Sequence, residues 1–140
     1  MALQGTLFLD HLRKEYNVLE FEYDIYQPLS DKGSPTAHPM GGILSFTINS
    51  LGNDDTTFQD WMLGKQKFLD GYFEFPIADQ SKPVKIRKIK FERAKCINLY
   101  EYFSEHNAEH MQMKLRISPT KVDFGGGVWD TRDREYEIGE

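Results

Sequence analysis

The residues whose types and spacing could do chemistry are few. His106 and His110 stand at i and i+4 with Glu105 and Glu109 beside them, the spacing at which two imidazoles on one helix face hold a metal. A zinc hydrolase of that kind needs a glutamate directly after the first histidine. Asn107 stands there instead, and Ser104 to Glu109 reads as a polar turn between strands. His11 and His38 have no recognisable partners. Gly125-Gly126-Gly127 lacks the Lys-Ser/Thr of a phosphate loop and leads into no helix, so it reads as a bend or hinge. Cys96 is the only cysteine, which excludes an internal disulfide. It falls at an inward position with no histidine nearby, the setting of a packed thiol rather than a nucleophile. Asp54 and Asp55 read as helix caps rather than an acid–base pair. No constellation supports an enzyme, and neither a cofactor nor a metal is expected.

The charge layout is more informative. The chain of 140 residues carries a net charge of −5, which opposes nucleic-acid binding in general. Lys85, Arg87, Lys88, Lys90, Arg93 and Lys95 nevertheless crowd one stretch, against the single Glu92. From Asp123 onward the balance reverses: Asp123, Asp130, Asp133, Glu135, Glu137 and Glu140 face only Arg132 and Arg134. Three readings stay open: a solvated strand face with a solubilising tail, complementary patches that meet between subunits, or nucleic acid held along the basic strand with Phe91 and Tyr100. No apolar run is long enough to span a bilayer, and Met1 to Gly5 has no basic or apolar leader, so the chain is expected to begin in the cytoplasm.

The elements that must position these residues are mostly strands. Hydrophobic residues are 39% and aromatic residues 14%, mainly Phe and Tyr, which favours β structure. Gly5 to Asp10 reads as a strand with Leu7 and Leu9 on one face. Glu15 to Tyr26 follows, Leu19, Phe21, Tyr23 and Ile25 alternating with Glu20, Glu22 and Asp24, so one face is apolar and the other acidic. Gln27 to Gly42 is dense in turn formers and longer than an ordinary hairpin loop. Ile43 to Ser50 resumes strand, with Leu44, Phe46 and Ile48 inward and Ser45, Thr47 and Asn49 outward.

Asn53 to Lys65 is the one convincing helix. Phe58, Trp61 and Met62 fall at i, i+3 and i+4 and form its core anchors, Asn53, Asp54 or Asp55 caps it, and Gly64 suits its end. Asp70-Gly71 reads as a turn, then Tyr72 to Asp79 as a strand with Phe73, Phe75 and Ile77 on one face. Val84 to Phe103 is almost continuous strand, too long at about 3.3 Å per residue for a small barrel unless it bends. Its inward set runs Ile89 and Phe91, then Ala94 and Cys96, a parity change that predicts a β-bulge. Met111, Met113, Leu115 and Ile117 form the last clear strand, stopped by Pro119. Residues 121–140 read as a flexible or partner-dependent tail. The fold class is therefore mainly β: a small antiparallel β-barrel, with one helix at about 54–65 packed on it and a long loop over 27–42, in one domain spanning 1–140.

This order of motifs resembles the haemolysin-coregulated protein family (Hcp, TssD), the tube protein of type VI secretion systems, in a divergent branch. Tyr16-Asn17-Val18-Leu19-Glu20, Tyr23 and Gln27 resemble the family's second strand. Asp31, Gly33, Pro35 and Gly41-Gly42 resemble its long loop, Phe58-Gln59-Asp60-Trp61-Met62 its helix and Asp70-Gly71 the turn after it. Phe91-Glu92-Arg93-Ala94 and Leu115-Arg116-Ile117-Ser118-Pro119 resemble its later strands.

The resemblance covers roughly residues 5 to 120. It implies homohexameric rings stacked into a hollow tube like that of phage tails, which carries effector proteins and is expelled without a signal peptide or membrane insertion. Sheath, baseplate and spike proteins would be its partners, and no residue would be catalytic. The loop with Gln27, Asp31, Lys32, Gly33, Pro35, His38, Gly41 and Gly42 would reach the adjacent ring. Glu20, Glu22 and Asp24 on one strand and Lys88 and Lys90 on another are the candidate charges between subunits. The rival reading is a stand-alone β-barrel module binding a ligand, a peptide or nucleic acid.

Overall fold

The structure, a computed structural model, describes residues 4–10, 12–26, 40–50, 55–64, 68–79, 82–103, 105, 111–125 and 128–130. Eight strands and one helix follow in the order β1 (Gly5–Leu9), β2 (Lys14–Tyr26), β3 (Met40–Ser50), α1 (Thr57–Met62), β4 (Leu69–Asp79), β5 (Lys82–Tyr102), β6 (Met111–Ser118), β7 (Lys121–Asp123) and β8 (Val128–Asp130). Every pairing is antiparallel. The strand order is β4-β1-β2-β3-β6-β5-β7-β8, and β4 also pairs with β5, so the sheet closes in a ring of six strands from which β7 and β8 branch.

Alternation builds the core as the sequence reading expects. Leu7 and Leu9, Leu44, Phe46 and Ile48, and Met113, Leu115 and Ile117 are all buried. The 21-residue β5 closes the ring because it serves two partners: Lys82 to Ala94 pairs with β4, and Lys95 to Tyr102 pairs with β6. Its predicted change of parity is present, with Ile89 and Phe91 buried on one side of it and Ala94 and Cys96 on the other. The ladder to β4 shifts register there, and Arg93 takes φ 50°. Asp70 Oδ1 accepts the Arg93 N–H at 2.7 Å, which holds the bulge from the facing strand.

Several expectations are corrected. The helix spans only Thr57–Met62, and its buried residues are Thr57, Phe58 and Trp61, while Met62, the last residue, is 41% exposed. Thr56 stands at the N-cap; Asp55 still accepts the Thr57 N–H at 3.0 Å, while Asn53 and Asp54 lie outside the described residues. Gly64 ends the helix with φ 88°, a left-handed conformation that glycine adopts without steric cost.

Asp70 and Gly71 belong to β4, not to a turn. Gly71 is needed because β1 approaches so closely that a Cβ would collide with the Phe8 carbonyl. Met40, Gly41 and Gly42 belong to β3, where Gly42, with φ 77°, bulges between the Ile25–Gly41 and Asp24–Ile43 pairs. Leu19 and Ile77 were placed inward and are exposed. A bulge in β2 turns Leu19 out of the apolar set, and Ile77 lies past the last residue of β4 that pairs with β1. Residues 121–123 and 128–130 are strands, with Val122 fully buried, where a tail was expected; residues 131–140 lie outside the described residues.

Candidate functional site

Strands β2, β3, β6 and the second half of β5 form one wall of the ring, and its outward face is hollow. The concavity encloses about 980 Å³. Two successive rungs cross it: Glu20–Thr47–Lys114–Tyr100 and Glu22–Ser45–Arg116–Asn98. Period-two alternation puts these side chains on the face opposite Phe21, Phe46 and Leu115. The wall therefore carries an acidic stripe (Glu20, Glu22 and Asp24 on β2), a hydroxyl stripe (Ser45 and Thr47), a basic stripe (Lys114 and Arg116) and an aromatic rim at Tyr100. Strands lie about 4.8 Å apart, so the acidic and basic stripes are separated by about 10 Å. That distance is near the screening length at physiological salt, and the two stripes act as separate surfaces. Thr47 points into the hollow as expected, yet it is buried at its floor.

The wall is open on both sides. Among the described residues, β1 covers β2 only from Lys14 to Val18, so Glu20 to Tyr26 pairs with β3 alone. On the far side, β4 covers β5 only as far as Ala94, so among the described residues Lys95 to Tyr102 pairs with β6 alone. Two stretches of unpaired backbone thus flank one polar concave face. Unpaired strand edges are templates for another strand.

Around α1 the elements are tied together by side-chain hydrogen bonds, although Gln59 Oε1 on the helix is buried without a partner. Trp61 Nε1 donates to the Ala94 carbonyl at 2.9 Å, tying α1 to the first bulge of β5. Phe58 packs edge-on against Tyr16 at 4.7 Å between ring centres. Tyr16 Oη donates to Asp55 Oδ2 at 2.7 Å, and Lys14 Nζ bridges Asp55 at 3.1 Å and Thr57 Oγ1 at 2.8 Å. Burial acts to raise the Asp55 carboxyl, but hydrogen bonds from Thr57, Tyr16 and Lys14 outweigh it and hold it down to about 2. Burial, with the carboxylate of Asp55 beside it, pushes the Tyr16 hydroxyl far up despite the opposing bond from Thr57. Asp55, one residue before the N-cap, thus accepts the Thr57 N–H and ties Lys14 and Tyr16 to the start of the helix.

The other candidates separate. Lys88 stands opposite Glu74 with its Nζ 4.0 Å from the Tyr72 ring centre, and Lys90 lies between Tyr72 and Asp123. These lysines are on the part of β5 paired with β4, away from Glu20, Glu22 and Asp24, so the structure does not bring the two sets together within one chain. Gln27, Asp31, Lys32, Gly33, Pro35 and His38 lie outside the described residues, as do His11, His106 and His110. Among the described residues no cluster of His, Cys, Asp and Glu could hold a metal. Burial pushes the Cys96 thiol up to about 11, partly offset by its bond to the Asn98 carbonyl. Sequence reasoning missed Lys114 and Arg116, although their alternation with Met113, Leu115 and Ile117 was legible.

A closed antiparallel sheet with one packed helix and one open polar wall defines the fold class. The comparisons give that class a family. A model of the hemolysin coregulated protein Hcp (TssD) matches residues 1–132, and the chain belongs to that family of tube proteins. It is similar to the structure of Hcp1 from Flavobacterium johnsoniae, with 25% identity over 91% of this chain and 98% of that chain and a TM-score of 0.74. The fold also matches Hcp1 from Salmonella typhimurium (15% identity, 96% and 98% covered, TM-score 0.65). It matches as well a chain in the sheath/tube terminator of an extracellular contractile injection system (11% identity, 85% and 91% covered, TM-score 0.51). A search of curated protein sequences finds no match. Among the described residues no helix is long and apolar enough to cross a membrane.

Proposed function

We propose that this chain is the repeating unit of a type VI secretion inner tube, in which six copies form a ring and rings stack into a hollow cylinder. The observation that carries the reading is the pair of open edges on either side of the concave polar wall. Side-by-side pairing of β2 of one copy with β5 of the next is heterologous, and only a closed ring satisfies every edge in such an arrangement. The concave face then lines a wet lumen, with acidic, hydroxyl and basic stripes repeating around it, through which effector proteins travel. The number six and the axial stacking are part of this proposal, supported by membership of the Hcp family. The segment from Gln27 to Pro39 makes the ring-to-ring contact, and sheath, baseplate and spike proteins complete the machine, which expels the tube.

Electron microscopy and sizing of the purified protein test this. Rings are the expected result, and replacing Asp31 to Pro39 with a short Gly/Ser linker should keep rings while abolishing stacks. A monomer at high concentration would overturn the reading in favour of a stand-alone module that uses the same hollow to bind a ligand, peptide or nucleic acid. Undiminished stacking and secretion by the linker variant would remove the role given to the loop.

A further inference from the structure

Glu20, Glu22 and Asp24 repeat at alternate positions of β2, three like charges on one face. Among the described residues none of them forms a side-chain hydrogen bond or an ion pair. The basic stripe stands about 10 Å away, beyond β3. An ionised carboxylate only accepts hydrogen bonds, so this stripe calls for donors. Unused donors line the far side of the same hollow: the Asn98 amide and the Tyr100 hydroxyl, on a residue 56% exposed. Within one chain they lie three strand spacings, about 14 Å, from the acids.

The two open edges are built to the same measure. On β2, Glu20 to Tyr26 takes seven ladder positions against β3. On β5, Lys95 to Tyr102 also takes seven against β6, because a bulge leaves Ile97 outside the ladder. The wall runs β2-β3-β6-β5 with every step antiparallel, so β2 of one copy and β5 of the next also meet antiparallel. Overlapped over their full length, they pair Glu20 with Tyr102, Glu22 with Tyr100, Asp24 with Asn98 and Tyr26 with Lys95 on the concave side. The pairs between them, Tyr23 with Leu99 and Ile25 with Cys96, fall on the inward side. Every residue keeps the face it already occupies, whereas a slip of one would exchange the faces. A slip of two in one direction drives Tyr102 onto Val18, which β1 already holds, and Tyr26 onto Arg93, beside the end of β4. A slip of two in the other carries Lys95 and Cys96 past Tyr26, the end of β2.

We infer that copies join in this full-length register, so that Tyr100 and Asn98 of one copy supply the donors for the acidic stripe of the next. The assignment rests on the ring reading above and specifies its contact. The Tyr100 hydroxyl donates to Glu22 and the Asn98 amide to Asp24, each across one strand spacing. Tyr102 already donates its hydroxyl to Gln112, so the two middle pairs carry the recognition. One pair is unlike: Phe21 stands opposite Glu101, on the inward side near the Glu20 end of the junction. The register also sets a stagger. Within a copy Tyr100 is level with Glu20, whereas across the junction it meets Glu22, an offset of two residues from each copy to the next. Strands in a closed cylinder are tilted, and such an offset is what tilt requires.

The experiment uses the full chain carrying Glu22→Cys with Tyr100→Cys, and separately Glu22→Cys with Asn98→Cys. Directly opposed residues of paired strands lie within disulfide reach, and diagonal ones about 7–8 Å apart do not. Under mild oxidation the first double variant should give a ladder of cross-linked species ending at the ring size. The second double variant and each single variant should give none. Tyr100→Phe should raise the protein concentration needed for ring formation about tenfold. Tyr72→Phe should leave assembly unchanged, because Tyr72 lies away from both edges, stacked on Phe8 and under Lys88. Unaltered circular dichroism keeps a lost ring from being misread as a lost fold. Rings with a ladder from the second pair, or with no ladder from the first, would overturn the register and leave the ring standing. Rings of Tyr100→Phe at the wild-type concentration would overturn the role given to its hydroxyl. A wild-type chain that forms no rings would overturn both readings.

Discussion

The two bulges of β5 lie within a few residues of each other and have opposite characters. At the first, the chain saturates its own irregularity. Asp70 takes the Arg93 N–H, Trp61 donates to the Ala94 carbonyl, and the Thr120 N–H and hydroxyl both reach the Arg93 carbonyl. The Arg93 guanidinium then lies 4.6 Å from the Phe68 ring centre. At the second, Ile97 is simply turned out at an open edge. The same backbone device bends the strand for closure in one place and leaves a surface for another molecule in the other. What separates them is whether neighbouring elements of the same chain converge on the spare groups, so a bulge is informative about function only once its surroundings are known.

That contrast can be broken by substitution, and the first bulge should be the more sensitive to stability. Trp61→Ala removes a ring only 2% exposed together with a buried hydrogen bond, and should cost about 3–5 kcal/mol in denaturant unfolding. An effect under about 1 kcal/mol would mean that α1 is not anchored there.

The polar clamp on the same side should be worth less and should depend on pH. The Asp55 carboxyl is depressed in the folded state, so its contribution is full above its ordinary value near 3.8 and is lost as pH falls through about 2. Asp55→Asn should therefore cost about 2 kcal/mol at neutral pH. The difference from wild type should shrink steadily in melts between pH 4 and pH 2; a difference independent of pH would show that the clamp acts by shape rather than charge.

Smallest of all should be Met62→Ala, expected to move stability by no more than about 0.5 kcal/mol because the side chain is largely in solvent. A cost near that of Trp61→Ala would restore Met62 to the core anchors.

Much of the half around α1 and the first bulge was legible in the sequence, because period-two and helical spacing report which face of an element is buried. The parity break at Phe91 and Ala94 even located the first bulge. What failed depended on where neighbouring strands stop. Leu19 and Ile77 continue apolar patterns, but a bulge in β2 turns Leu19 out and Ile77 lies past the residues of β4 that pair with β1. Met62 keeps helical spacing on a helix that ends at that residue. Gly41 and Gly42 carry turn chemistry that a strand uses for a bulge, and β7 and β8, at three residues each, are too short to show any period. The polar wall was half visible: its acidic stripe stood out, whereas its basic stripe needed the pairing of β3 with β6 to be placed beside it.

The buried state of Cys96 has a practical consequence. With its thiol pushed up to about 11, it carries almost no thiolate at neutral pH and reacts sluggishly with maleimides and disulfide reagents. The native chain is therefore close to a blank for thiol labelling. A fluorophore or spin label attached at a single introduced cysteine would report on that position alone, and distances between labels on neighbouring copies could follow tube growth as it happens.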